Sequence, residues 1–240
     1  RDLNEVDPID GYDVISTIDV YIQDIAHHAL LKQLEEYGAE HGCVVVMETK
    51  TGQVKAISNL GRDEVSGNYY ETINYAVAEA HEPGSTFKLV DMIALLDDNK
   101  IDTSKVYDSR GGIIDFRGKK VRDSHEGGYG KVSLARGFEV SSNTVMVQSV
   151  YNNYKNNPSK FIKHIEAWGL DKKIGLELKG EATPKIPKPG EAGWSAISLP
   201  WNLKRFTVLI YYSFTERLSG WRVYCWFCGT LVKNDFQRAA

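Results

Sequence analysis

The sequence predicts an α+β domain, an antiparallel sheet flanked by helices. Three observations carry that expectation: one β-hairpin pattern near the start, a run of helical patterns in the middle, and no alternation of strand and helix. Alternation is what a doubly wound parallel sheet requires, so that class is excluded.

Residues 1–16 are polar and turn-rich and read as a linker from a preceding region. From Thr17 onward, Ile18, Ile22, Ile25, Ala29 and Leu34 fall near helical spacing, with Thr17 or Asp19 as N-cap and Gly38 as the stop. The string "GCVVVMETKTGQVKAISNL" at 42–60 reads as two strands joined by a Lys-Thr-Gly turn. Residues 61–79 read as loop. A helix opening at Ser85 carries Leu89, Val90, Met92, Ile93, Ala94, Leu95 and Leu96, apolar on nearly every face, and belongs in the middle of the domain. Residues 101–130 are rich in Gly and Asp, with a short hairpin over "GGIIDFRGKKV". Helical pieces "SLARGFEV" and "TVMVQSVYNNY" flank a Ser-Ser-Asn, and "NPSKFIKHIEAWGL" reads as a capped helix with Phe161, Ile165 and Trp168 on one face. "ATPKIPKPGEAG" is a proline-punctuated loop.

Charge and composition narrow the function classes. With 240 residues, 42% hydrophobic and 25% charged, the chain has the make-up of a globular protein with a substantial core. A net charge of −3 and no dense basic run argue against a nucleic-acid partner. Three cysteines make no disulfide framework, and the six histidines form no metal pattern. The longest uncharged apolar stretch, "FTVLIYYSF", is too short to span a bilayer. Residues 203–240 hold six basic and two acidic residues, so the balance flips from −7 over residues 1–202 to +4. This tail shows no clean period and reads as atypical, as if the reading frame changed near residue 202. Its Cys225-x-x-Cys228 lacks a second ligand pair or a redox context, and reads as accidental.

The chemistry gathers at "EPGSTFK", residues 82–88. Ser85 and Lys88 are three apart, which places them on one helix face about 5–6 Å apart at Cβ. A serine hydroxyl needs a base within hydrogen-bonding reach to act as a nucleophile. A lysine serves only when neutral, which burial or nearby positive potential favours. The bland alternative is a capping serine with a snorkelling lysine, and a lone Ser-x-x-Lys does not decide between the two.

Ser141-Ser142-Asn143 follows 56 residues after Ser85. Together with "STIDVYIQDIAHHAL", "CVVVMETKTGQVKAISN", "YAVAEAHEPGSTFKLV", "GKVSLARGFEVSSNTVMVQ", "WGLDKKIGLELKGE" and "SAISLPW", the two motifs resemble the transpeptidase domain of the penicillin-binding proteins. These share their fold with the serine β-lactamases, and the likeness is to the class B, monofunctional enzymes of cell division and elongation. It covers residues from about 12 to 201, of which 17–201 read as a partial transpeptidase domain, leaving 202–240 outside and the C-terminal strands incomplete.

The resemblance implies a peptidoglycan D,D-transpeptidase working through a serine acyl-enzyme. Ser85 would be the nucleophile, Lys88 its base and Ser141 a proton relay to the leaving amine. Asn143 would hold the substrate amide and help orient Lys88, and the Ser85 N–H would give half of the oxyanion hole. Implied partners are D-Ala-D-Ala stem peptides, β-lactam antibiotics, and glycosyltransferase and division or elongation proteins, with no cofactor or metal. The implied place is the outer face of the bacterial inner membrane, on an anchor upstream of residue 1. Asp123 falls where the family often has an Asp before a Gly-rich loop, and reads as structural.

The family also carries a Lys-(Ser/Thr)-Gly downstream of Ser-x-Asn. Here that triplet occurs only at Lys50-Thr51-Gly52, upstream and in a turn, and Ser66-Gly67-Asn68 is likewise an upstream look-alike in a loop. Two alternatives follow: a catalytically dead acyltransferase fold acting as a binding or scaffold module or a truncation product, and a D,D-carboxypeptidase or β-lactamase with water as acceptor.

Overall fold

The computed structural model describes residues 11–81, 83–116, 118–175, 179–186, 188–191, 206–207 and 221–228. The "SAISLPW" string, the first ten residues and most of the tail lie outside the described residues. Two compact units emerge, one of residues 1–70 with 219–240 and one of residues 71–218. The α+β expectation holds, and every described strand pairing is antiparallel.

In the first unit α1 (Val20–Tyr37) lies on a sheet of order β10-β1-β2-β3, built from Trp221–Cys228, His41–Glu48, Val54–Arg62 and Tyr69–Tyr70. Asp19 caps α1 by accepting from the N–H groups of Tyr21 and Ile22, and Gly38 ends it in the left-handed conformation, its N–H donating to Leu34 O. The buried stripe differs from the expected one. Ala26, Leu30 and Leu34, spaced by four, pack with Val44, Val46, Ala56 and Leu60, whereas Ile25 and Ala29 face outward. Gln23 fixes this face by donating to Ile57 O and accepting from Ile57 N. Lys50-Thr51-Gly52 forms the β1–β2 turn, Gly52 N donating to Glu48 O, and Ser66 hydrogen-bonds Asp63 in a surface loop, both as expected. On the other side of β1, Cys228 to Trp221 of β10 run opposite His41 to Glu48.

The second unit holds α2 (Tyr75–Ala78), a 3-10 turn (Gly84–Phe87), α3 (Lys88–Asp97), α4 (Leu134–Glu139), α5 (Asn143–Tyr154) and α6 (Pro158–Ala167). Among the described residues its strands make three two-stranded pairs: β4 (Ala80–His81) with β9 (Phe206–Thr207), β5 (Val106–Asp108) with β8 (Lys131–Ser133), and β6 (Ile113–Phe116) with β7 (Lys119–Arg122). The expected helix from Ser85 therefore begins as a tight 3-10 turn and becomes α only at Lys88. Val90, Met92, Ala94 and Leu95 of α3 are buried, as its apolar surface requires, while Leu96 is half exposed. Met92 joins Tyr107, Leu134, Val145 and Met146 in one core. At the far end of α3, Asp98 accepts from Tyr154 Oη at 2.9 Å and pairs with Lys160 at 2.7 Å, tying α3, α5 and α6 together. Phe161, Ile162 and Ile165 are the buried positions of α6, and Trp168 is its C-cap.

Helices α4 and α5 pack tightly at Gly137, where a Cβ would overlap the side chain of Val145. Gly137→Ala is expected to lower stability by about 1–3 kcal/mol through overpacking. Thermal unfolding checks it, and an unchanged midpoint would show that the two helices have room to part.

Candidate active site

The 3-10 turn presents Ser85 at the surface and turns Lys88 inward. Gly84, just before it, has φ +62°, a conformation that a side chain resists, and a Cβ there would meet open space. Glycine is therefore needed for the backbone turn, not for room. Lys88 is only 6% exposed, so its ammonium depends on protein acceptors.

Four acceptors surround it. Lys88 Nζ donates to Ser85 Oγ at 3.1 Å, Ser141 O at 2.5 Å, Ser141 Oγ at 2.8 Å and Asn143 Oδ1 at 2.7 Å. An ammonium has three N–H groups, so two of the four acceptors share one. Ser141 reaches the amine with both atoms because its backbone is left-handed, φ 54°. Asn143 is oriented from behind, its Nδ2 donating to Arg122 O at 2.7 Å, which leaves Oδ1 facing Lys88. The structure thus brings together all four residues singled out from the sequence, Ser85, Lys88, Ser141 and Asn143.

Burial pushes the Lys88 ammonium down to about 8, while the charges of Asp123 and Asp91 push it back up. The positive potential expected to help is not what the charged neighbours supply, since both are carboxylates. Desolvation does the lowering.

Two carboxylates near the site escaped the sequence reading in different degrees. Asp123, read as structural, accepts from Ser142 Oγ at 3.1 Å, Thr144 N at 2.9 Å and Thr144 Oγ1 at 2.9 Å. Ser142, not Ser141 or Asn143, is the N-cap of α5, accepting from Val145 N. Asp123 therefore anchors the two residues interleaved with the site pair, and its negative charge lies at a helix N-terminus where it is favoured. Asp91 was not singled out at all. It lines a small cleft with Gly84, Ser85, Lys88, Asn143, Met146 and Val147. Among the described residues no cluster of His, Cys, Asp and Glu could hold a metal ion.

Comparison with known proteins decides the family. The penicillin-binding protein transpeptidase domain matches residues 42–201. The chain belongs to that family. Penicillin-binding protein relatives include Stage V sporulation protein D of Bacillus subtilis, 28% identical over 73% of this chain and 28% of that protein. Penicillin-binding protein PbpB of Mycolicibacterium smegmatis is 28% identical over 81% of this chain and 30% of its own length. A probable peptidoglycan D,D-transpeptidase, PenA of Neisseria flavescens, is 30% identical over 42% of this chain and 26% of its own length. The chain thus spans less than a third of each of these relatives. Among solved structures, the apo transpeptidase domain of Burkholderia pseudomallei penicillin-binding protein 3 superposes with a TM-score of 0.68 at 19% identity, covering 86% of this chain and 58% of that one. That likeness bears out the penicillin-binding fold. The class B resemblance read from the motifs is borne out with it.

Proposed function

We propose that this domain cross-links peptidoglycan by acyl transfer from D-Ala-D-Ala stem peptides. The observation that carries the reading is the single amine of Lys88, within hydrogen-bonding reach of both the Ser85 and the Ser141 hydroxyls. When Lys88 is neutral, its lone pair accepts the Ser85 proton while its two N–H groups stay on Ser141 and Asn143. The Ser85 oxygen then bonds to the penultimate D-Ala carbonyl carbon, and the Ser85 N–H supports the oxyanion. Collapse breaks the bond to terminal D-Ala, whose nitrogen takes a proton from Lys88 by way of Ser141. An amine from a neighbouring strand reverses these steps and frees Ser85. The reaction as written needs neither metal nor nucleotide.

Penicillins acylate the same hydroxyl in this reading. The intact protein works at the outer face of the bacterial inner membrane with glycosyltransferase and division or elongation proteins, from an anchor upstream of residue 1. Among the described residues no helix is long and apolar enough to cross a membrane. The proposed domain division is a linker at 1–16, a transpeptidase domain over 17–201 and a tail over 202–240 whose reading frame differs.

One observation favours a second reading. No Lys-(Ser/Thr)-Gly follows Asn143 in the sequence. A binding module with an assembled but unproductive site fits that fact. Incubation with a fluorescent penicillin, followed by intact mass measurement, separates the two. The transpeptidase reading expects one adduct on the wild type and none on Ser85→Ala; folded wild type without an adduct overturns it.

A further inference from the structure

Asp91 lies on α3 one turn beyond Lys88 and six residues beyond Ser85. Its exposure is 0%, and neither carboxyl oxygen has a hydrogen-bond partner. An aspartate in the first turn of a helix ordinarily faces water, where the N-terminal dipole favours its charge. Buried without a donor, an ionised carboxylate is strongly disfavoured. Yet this one lines the same cleft as the nucleophile and the amine, where nothing is gained by an acid that packing alone could replace with Leu.

Resting on the acyl-transfer reading, we infer that Asp91 is a positioning residue that acts through Lys88, the two groups titrating as one electrostatically coupled pair without a direct hydrogen bond. Loss of the first proton from the fully protonated pair leaves two forms of equal net charge. In one, Lys88 is an ammonium beside an Asp91 carboxylate. In the other, Lys88 is a free amine beside an Asp91 carboxylic acid. Only the second form can accept the Ser85 proton. Asp91 therefore sets how much free base exists at a given pH, and the full amount appears only when the second proton leaves.

The surrounding charges support this coupling. Burial holds the Asp91 carboxyl well above the usual carboxylate range, and Lys88 is the group that pulls it back down. Asp91 in turn pushes Lys88 up, as does Asp123 from the segment following β7. From α5, Asn143, Met146 and Val147 line the cleft and carry no charge. Tyr154, also on α5, feels Asp91 as well, its phenol raised first by burial and then by Asp98.

The test is the rate of penicillin acylation against pH for wild type, Asp91→Asn and Asp91→Leu. The wild-type acid limb should be broad, spanning two proton losses. Both variants should give a single-proton limb with its midpoint lower by roughly half a unit to one unit, so that well below that midpoint the rate rises about three- to tenfold. Superimposable profiles from folded Asp91→Asn would overturn the inference. Carbon NMR of the Asp91 carboxyl and the Lys88 ε-carbon in the wild type supplies a readout that needs no variant. Matched biphasic titrations support the coupled pair, and independent single titrations overturn it. If the wild type is not acylated at any pH, the acyl-transfer reading is what fails, and the NMR titration still decides the Asp91–Lys88 coupling.

Discussion

Lys88→Met is expected to slow penicillin acylation by about 10³-fold while the protein still folds. The size follows from the usual contribution of a positioned general base, about 10²–10⁴-fold. Lys88→Arg should lose as much, because a guanidinium keeps the charge and cannot become a base near neutral pH. The pH profile carries the same logic in the wild type. With Lys88 lowered to about 8, acylation should climb as pH rises through that region, and only about a tenth of the molecules should hold the free amine at pH 7. Stopped-flow acylation from pH 6 to 10 measures it. A rate that is flat across the range, or a Lys88→Arg enzyme as fast as wild type, would show that some other group takes the serine proton.

The second large effect is expected at Asp123. Asp123→Ala removes the acceptor for Ser142 Oγ, Thr144 N and Thr144 Oγ1 at once. Hydrogen bonds to a charged group contribute about 1.5–3 kcal/mol each and do not simply add. A loss of about 3 kcal/mol is therefore expected, a fall of roughly 6–12 °C in Tm for a chain of this size. Acylation should fall as well, because Ser141 and Asn143 are held in register by their anchored neighbours. Asp123→Asn should be milder, retaining an oxygen for Thr144 N. Stability and acylation both unchanged in Asp123→Ala would show that α5 and its entry are fixed by packing alone.

Much of this was legible in the sequence wherever the signal was local. Asp19 and Gly38 bracket α1 because capping is decided within a few residues. The β1–β2 hairpin and the Ser85–Lys88 pair were legible for the same reason, whereas the N-cap role of Ser142 was not. What was not legible depends on distant chain. Ile25 and Ala29 fit helical spacing as well as Ala26 and Leu30 do, and only the position of the sheet selects the second set. The partners of Asp123 lie 19 and 21 residues away, so its anchoring role has no short-range signature. Asp91 looks like an ordinary acidic residue of a helix's first turn until its burial is seen. The left-handed Ser141 backbone leaves no trace in residue type either, since serine is not a residue that prefers it.

The depth of the two groups proposed to react differs: Ser85 stands exposed, and Lys88 is almost wholly covered. Anything arriving from solvent meets the oxygen first and the nitrogen hardly at all. A reagent hunting for amines would spend itself on the many surface lysines, whereas an electrophile shaped for the mouth lands on the hydroxyl. Chemical selectivity at this site is written in depth rather than in reactivity alone.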